Sequence, residues 1–156
     1  MSIYIFTDEI KSGKTTRLEK WIAENPDSDG ILAPCINEKR YLKRIKSGET
    51  KLLEYEGNNP KVELTKICNY NFLKSIFDWG QSELNNAYLQ NPDWLIIDEI
   101  GPLELKGEAL EPMVTKILND KNLFNVNIVL VVRKKLVEKV IEHYNLHING
   151  FKLFII

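Results

Sequence analysis

This chain has few of the residues that would staple it, anchor it or surround it with charge. It has two cysteines, Cys35 and Cys68, far apart and without a CxxC partner, so neither a disulfide framework nor a thiolate zinc site is expected. Both are read as free, buried thiols in a reducing compartment. Its two histidines, His143 and His147, lack an acidic or cysteine neighbour at ligand spacing, which leaves no metal reading for them. Lysine and arginine number 21 against 22 acidic residues, a formal charge of −1, so no global field recruits nucleic acid or an anionic membrane. No apolar run approaches the roughly 20 residues that a membrane span needs. The opening MSIYIFTDEIKSGK meets Asp8, Glu9 and Lys11 too early for a signal peptide, and a cytoplasmic setting is expected. Repeats, linkers and low-complexity tracts are missing too, so the 156 residues are read as one domain, 1–156.

What is present alternates between two periods. Residues 3–7 are a short apolar run read as a buried strand, followed by a polar loop and a helix with Leu18, Trp21 and Ile22 on one face. Gly30 to Ile36 reads as a strand entering a proline turn. Arg40–Ile45 and Lys51–Tyr55, separated by Ser47-Gly48-Glu49, read as a hairpin within an insertion of about 36–65. A helix is expected over 71–90, then an uninterrupted apolar strand at 94–97, a helix carrying Leu110 to Leu118, a strand at 126–132, a helix over Leu136 to Tyr144, and a last strand at 151–156. Strands alternating with helices predict an α/β protein with a mostly parallel sheet, right-handed crossovers and helices on both faces. Trp21, Trp79 and Trp94 are read as core residues. The basic run Lys39–Lys46 is read as a solvated hairpin face rather than a nucleic-acid patch, with Arg40 alone placed to swing toward a bound phosphate as part of a lid.

Two segments carry chemistry. Asp8-Glu9-Ile10-Lys11-Ser12-Gly13-Lys14-Thr15 has the end of a phosphate-binding loop between a strand and a helix. Backbone N–H groups at a helix start point toward phosphates, and the helix dipole favours negative charge there. Gly13 allows close approach, Lys14 reaches the terminal phosphates and Thr15 offers a hydroxyl to Mg²⁺. Lys11, Ser12, Gly13, Lys14, Thr15 and Thr16 form the expected nucleotide-binding set. The first glycine of the pattern is replaced by Asp8, which tolerates left-handed backbone and whose charge Lys11 is placed to offset. The second segment is an apolar strand ending in Asp98-Glu99, beyond whose carboxyl end ligands of open α/β sheets sit. Asp98 is the expected metal acid beside Thr15, and Glu99 the acid that polarises the attacking water. Arg133 ends the next strand; it reads either as a cation for the developing charge or as a solvated residue beside Lys134 and Lys135.

The block WLIIDEIGPLEL, residues 94–105, resembles the signature of the thermophile-type nucleoside-triphosphatase family, whose animal members are called cancer-related nucleoside-triphosphatases. The GKTT loop, Gly30 to Pro34, Lys39-Arg40-Tyr41 and Asn69 to Phe72 look similar to family segments as well. The resemblance implies a three-layer αβα P-loop fold of the RecA-like, additional-strand type with an appended antiparallel hairpin. It also implies slow, Mg²⁺-dependent hydrolysis of several nucleoside triphosphates, ATP or GTP among them, with little preference for the base. Lys14 and Thr15 match the loop lysine and metal hydroxyl, Asp98 the metal acid and Glu99 the water-activating acid; Glu104 belongs to the signature and is read as supporting them. Asp8 and Asn69 depart from the glycines usual in the family. Two alternatives stand beside hydrolysis: a small nucleotide-dependent kinase, and a non-catalytic nucleotide-binding protein whose loop has decayed at Asp8.

Overall fold

The computed structural model describes residues 1–9, 13–120 and 125–156. The chain runs β1 (Ser2–Asp8), α1 (Lys14–Glu24), β2 (Ser28–Leu32), β3 (Cys35–Ile36), β4 (Lys39–Arg44), β5 (Thr50–Leu52), β6 (Leu64–Ile67), β7 (Tyr70–Leu73) and α2 (Lys74–Leu89). It continues through β8 (Trp94–Ile100), a 3₁₀ turn at Glu104–Lys106, α3 (Met113–Leu118), β9 (Asn127–Arg133), α4 (Val137–His143), α5 (Leu146–Asn149) and β10 (Lys152–Leu153). The main sheet has the order β10-β1-β9-β8-β2-β4-β3, parallel from β10 to β2 and antiparallel beyond it, with β5 paired to β4. β9 thus lies between β1 and β8, the insertion that defines an additional-strand sheet.

Alternation along the central strands divides the core in two. Leu95, Ile97, Ile128, Leu130 and Val132 face α2, α3 and α4, burying Phe77, Leu84, Val114, Ile117 and Val140. Their neighbours Ile96, Val129 and Val131 face the other way, onto Leu18 of α1 with Trp21 and Ile22 at its margin. Strands buried on both faces are why these runs carry no polar alternation. Gly30 is required where β2 meets β8: its φ is +129°, and a Cβ there would stand 2.0 Å from the Ile96 carbonyl oxygen.

Four expectations need correcting. Residues 70–73 do not open the helix. They form β7, which pairs antiparallel with β6 in a separate two-stranded sheet and buries Phe72. The helix expected from Leu110 is shorter and begins at Met113, because Pro112 lacks the N–H needed to continue a helix through it. The last strand is reduced to two residues on the sheet edge. Cys35 and Cys68 are free but exposed, on the short strand β3 and in the β6–β7 turn, rather than buried.

Candidate active site

β1 carries the chain to Asp8, and α1 begins at Lys14. Gly13 precedes it with φ 77°, a left-handed conformation that glycine adopts without a Cβ penalty. Among the described residues no side chain caps α1, so its first N–H groups face the cleft above. Lys14 is buried, and its Nζ donates to the carbonyl oxygens of Asp8 at 3.3 Å and Glu9 at 2.9 Å. The ammonium is thereby held across the mouth of the loop on neutral acceptors that an anion can replace.

Asp8 does not occupy a left-handed turn. It is the last residue of β1, opposite Arg133 in the β1–β9 register, and its backbone is extended. Its carboxylate accepts from the Glu9 N–H at 2.7 Å and is 2.5 Å from Arg17 Nη2. Arg17, one turn into α1, thus pairs with the Asp8 carboxylate. Lys11 and Ser12 lie outside the described residues.

The second half of the site comes from β8. Its pairing with β9 passes from Asp98–Val131 to Ile100–Val132, leaving Glu99 as an extra residue in a bulge. Successive side chains on a regular strand point to opposite faces, whereas here Asp98 and Glu99 both line one cleft. Asp98 is 1 % exposed; one of its oxygens accepts from Thr15 Oγ1 at 3.1 Å and from the Ala33 N–H at 3.1 Å. Burial raises its pKa to about 6, with the Glu99 charge adding to the rise and the two hydrogen bonds and Lys14 opposing it. Glu99 is paired with the Arg133 guanidinium, which brings Arg133 to the site with its side chain still 36 % exposed.

The helix start and the acids therefore meet in one cavity of about 290 Å³, lined by Gly13, Lys14, Thr15, Thr16, Ala33, Cys35, Arg40, Asp98, Glu99 and Arg133. Arg40 stands at its edge, fixed through its backbone N–H to Glu54 at 2.9 Å. Glu104 does not enter this cavity. It is 4 % exposed and accepts from the Gly101 N–H at 2.8 Å and the Leu110 N–H at 3.4 Å, which fixes the turn following the two acids. Burial pushes its carboxyl to about 7.

The donors suit a hard divalent cation: a hydroxyl and a carboxylate on adjacent elements, both oxygen ligands. Among the described residues no group of three or more His, Cys, Asp or Glu side chains gathers to hold a metal. Arg17 and the Ala33 N–H went unnoticed in the sequence. A backbone donor leaves no mark on residue identity, and the Arg17–Asp8 pair forms only once β1 and α1 are brought together.

A parallel αβα sheet with a bare helix start facing two strand-end acids defines the class of P-loop nucleoside-triphosphatases. The family model described as NTPase matches residues 3–155, and the chain belongs to that family. Among solved structures, the chain is similar to THEP1 from the hyperthermophile Aquifex aeolicus at TM-score 0.75 and 22 % identity, covering 97 % of this chain and 88 % of that one. It is also similar to a human cancer-related nucleoside triphosphatase at TM-score 0.69 and 19 % identity, covering 99 % and 88 % respectively. A search of curated proteins finds no match. Family membership supports nucleotide binding and nucleoside-triphosphate hydrolysis as the class of activity. Among the described residues no helix is long and apolar enough to cross a membrane.

Proposed function

We propose that this chain, acting as one unit over residues 1–156 with residues of about 36–65 inserted as a hairpin, is a cytoplasmic Mg²⁺-dependent hydrolase of nucleoside triphosphates with broad base preference. The observation that carries the reading is the hydrogen bond between Thr15 Oγ1 and Asp98, which ties the phosphate loop to the acidic strand end.

The N–H groups opening α1 bind the phosphate chain, and Lys14 exchanges its two carbonyl acceptors for β- and γ-phosphate oxygens. Thr15 and Asp98 would hold Mg²⁺, which supplies charge neutralisation across those oxygens. Glu99 takes a proton from a water as its oxygen attacks the γ-phosphorus; the bond to the β–γ bridging oxygen breaks, giving nucleoside diphosphate and inorganic phosphate. Arg133, held on Glu99, is within reach of the charge that develops on the γ-phosphoryl group.

The test is Mg²⁺-dependent phosphate release from ATP, GTP, CTP and UTP, with Lys14→Ala and Glu99→Gln alongside. Glu99→Gln should lower turnover by about 10²–10⁴ while leaving nucleotide binding nearly intact, the range expected for a lost general base. Normal turnover by Glu99→Gln would refute its role. Release unaffected by Lys14→Ala would refute the loop.

A further inference from the structure

A second cavity, of about 330 Å³, opens on the same acids without reaching the start of α1. It shares Ala33, Arg40, Asp98, Glu99 and Arg133 with the first cavity but none of Gly13 to Thr16. Away from that shared edge its walls are mainly apolar: Leu42, Leu53, Ile67, Phe72, Phe77 and Leu110. Phe72 meets Phe77 edge to face at 6.0 Å and stacks on Tyr70 at 5.7 Å, so the walls are also aromatic. Glu104 is on the wall, with both carboxylate oxygens already accepting backbone N–H groups.

Its position gives it a chemical meaning, which rests on the triphosphate reading above. With the terminal phosphate on Lys14 and beside Glu99, the attacking oxygen must enter opposite the leaving β–γ oxygen. The space beyond Glu99 is therefore on the side of the nucleophile, and the sugar and base lie toward the other end of the phosphate chain. Hydrolysis needs only one water there. We propose that this cavity binds a small aromatic alcohol and that the γ-phosphoryl group passes to its hydroxyl. In that step the hydroxyl oxygen forms the new P–O bond, its proton goes to Glu99, and the nucleoside diphosphate leaves with the bridging oxygen. The products are a phosphate monoester and the diphosphate; water serves as acceptor when the cavity holds no alcohol. The volume is at the small end of ligand pockets, which sets the guest at one ring with a short tail, and aromatic walls favour a ring over an aliphatic chain.

The experiment uses the full chain with Mg²⁺, γ-labelled ATP, and 2-phenylethanol or 4-hydroxyphenethyl alcohol as probes. Label is followed into organic ester and inorganic phosphate, and probe binding is read separately by saturation-transfer NMR. The expected result is ester formation by the wild type, and an ester-to-phosphate ratio at least 10-fold lower in Ile67→Trp, which fills the cavity from its rim. Phosphate release without ester and without probe binding would overturn the proposal while leaving hydrolysis standing. An unchanged ratio in Ile67→Trp, or displacement of the probe by adenosine, would also overturn it. Failure of the wild type to bind or cleave ATP, by contrast, would bring down the triphosphate reading itself and transfer with it.

Discussion

Replacing Arg44 by methionine tests how the appended hairpin is held. Arg44, at the end of β4, is 5 % exposed, and Asp29 of β2 is fully buried. The guanidinium grips the carboxylate in a two-pronged pair, Nε to Oδ1 at 2.7 Å and Nη2 to Oδ2 at 2.6 Å, and Nη1 also reaches the Glu83 carbonyl of α2. Asp29 Oδ1 further accepts the Gly30 N–H at 2.8 Å and the Lys46 N–H at 3.3 Å. Arg44→Met keeps the apolar stem but leaves a carboxylate buried without its cation, which typically costs 3–5 kcal/mol. A loss of about 4 kcal/mol lowers Tm by about 8–16 °C in a domain of this size. Asp29→Asn retains an acceptor for the two N–H groups and leaves the arginine with Glu83 alone, whose carboxylate is 3.3 Å from Nη1. Combined, the two changes remove both charges, so the double variant should be more stable than the sum of the single losses predicts by at least about 1 kcal/mol. Urea denaturation of the four proteins measures this directly. A cost under about 1 kcal/mol for Arg44→Met, or strictly additive losses, would refute the claim that this pair pins β4 between β2 and α2.

Two further outcomes follow from charges near the site. Because Arg17 already meets the Asp8 carboxylate, Asp8→Gly should change nucleotide affinity by less than about fivefold, the scale of a partly exposed pair. A gain beyond tenfold by titration calorimetry would show instead that Asp8 repels the phosphates. The Glu104 carboxyl is raised from 4.5 to about 7 by burial. The folded state therefore binds its proton more tightly than the unfolded chain, and stability rises as pH falls from about 7 toward 4.5, by about 3 kcal/mol when complete. Thermal melts from pH 8 to 6 should show that rise in the wild type and a flatter profile in Glu104→Gln; parallel profiles would contradict the shift.

The parts of this structure that were legible beforehand share one property: a single pattern of residues admits a single solution. Trp94 to Ile97 and Ile128 to Val132 are apolar without interruption, which only doubly covered strands of this length satisfy. The GKT triplet between a strand and a helical face places α1, and the acids at a strand end face it once the sheet is parallel. Where two periods fit the same residues, the reading strayed. Leu73, Ile76 and Phe77 satisfy a helix, yet the aromatic-rich Tyr70 to Leu73 also suits a strand, and pairing with β6 decides between them. Long-range contacts left no local trace: Arg17 against Asp8, the Ala33 N–H on Asp98, and the bulge that turns Glu99 toward Asp98 depend on elements brought together by the fold.

The distribution of tryptophans carries a practical consequence. Trp21 and Trp94 lie edge to face at 4.9 Å on the α1 side of the sheet, with Phe154 5.0 Å from Trp21. Trp79 is on α2, across the sheet, with the Lys51 ammonium 4.6 Å from its ring centre. The molecule thus holds native fluorophores in two separate layers, and single substitutions that silence one set would let optical signals from the nucleotide side and from the hairpin side be told apart without attaching a dye.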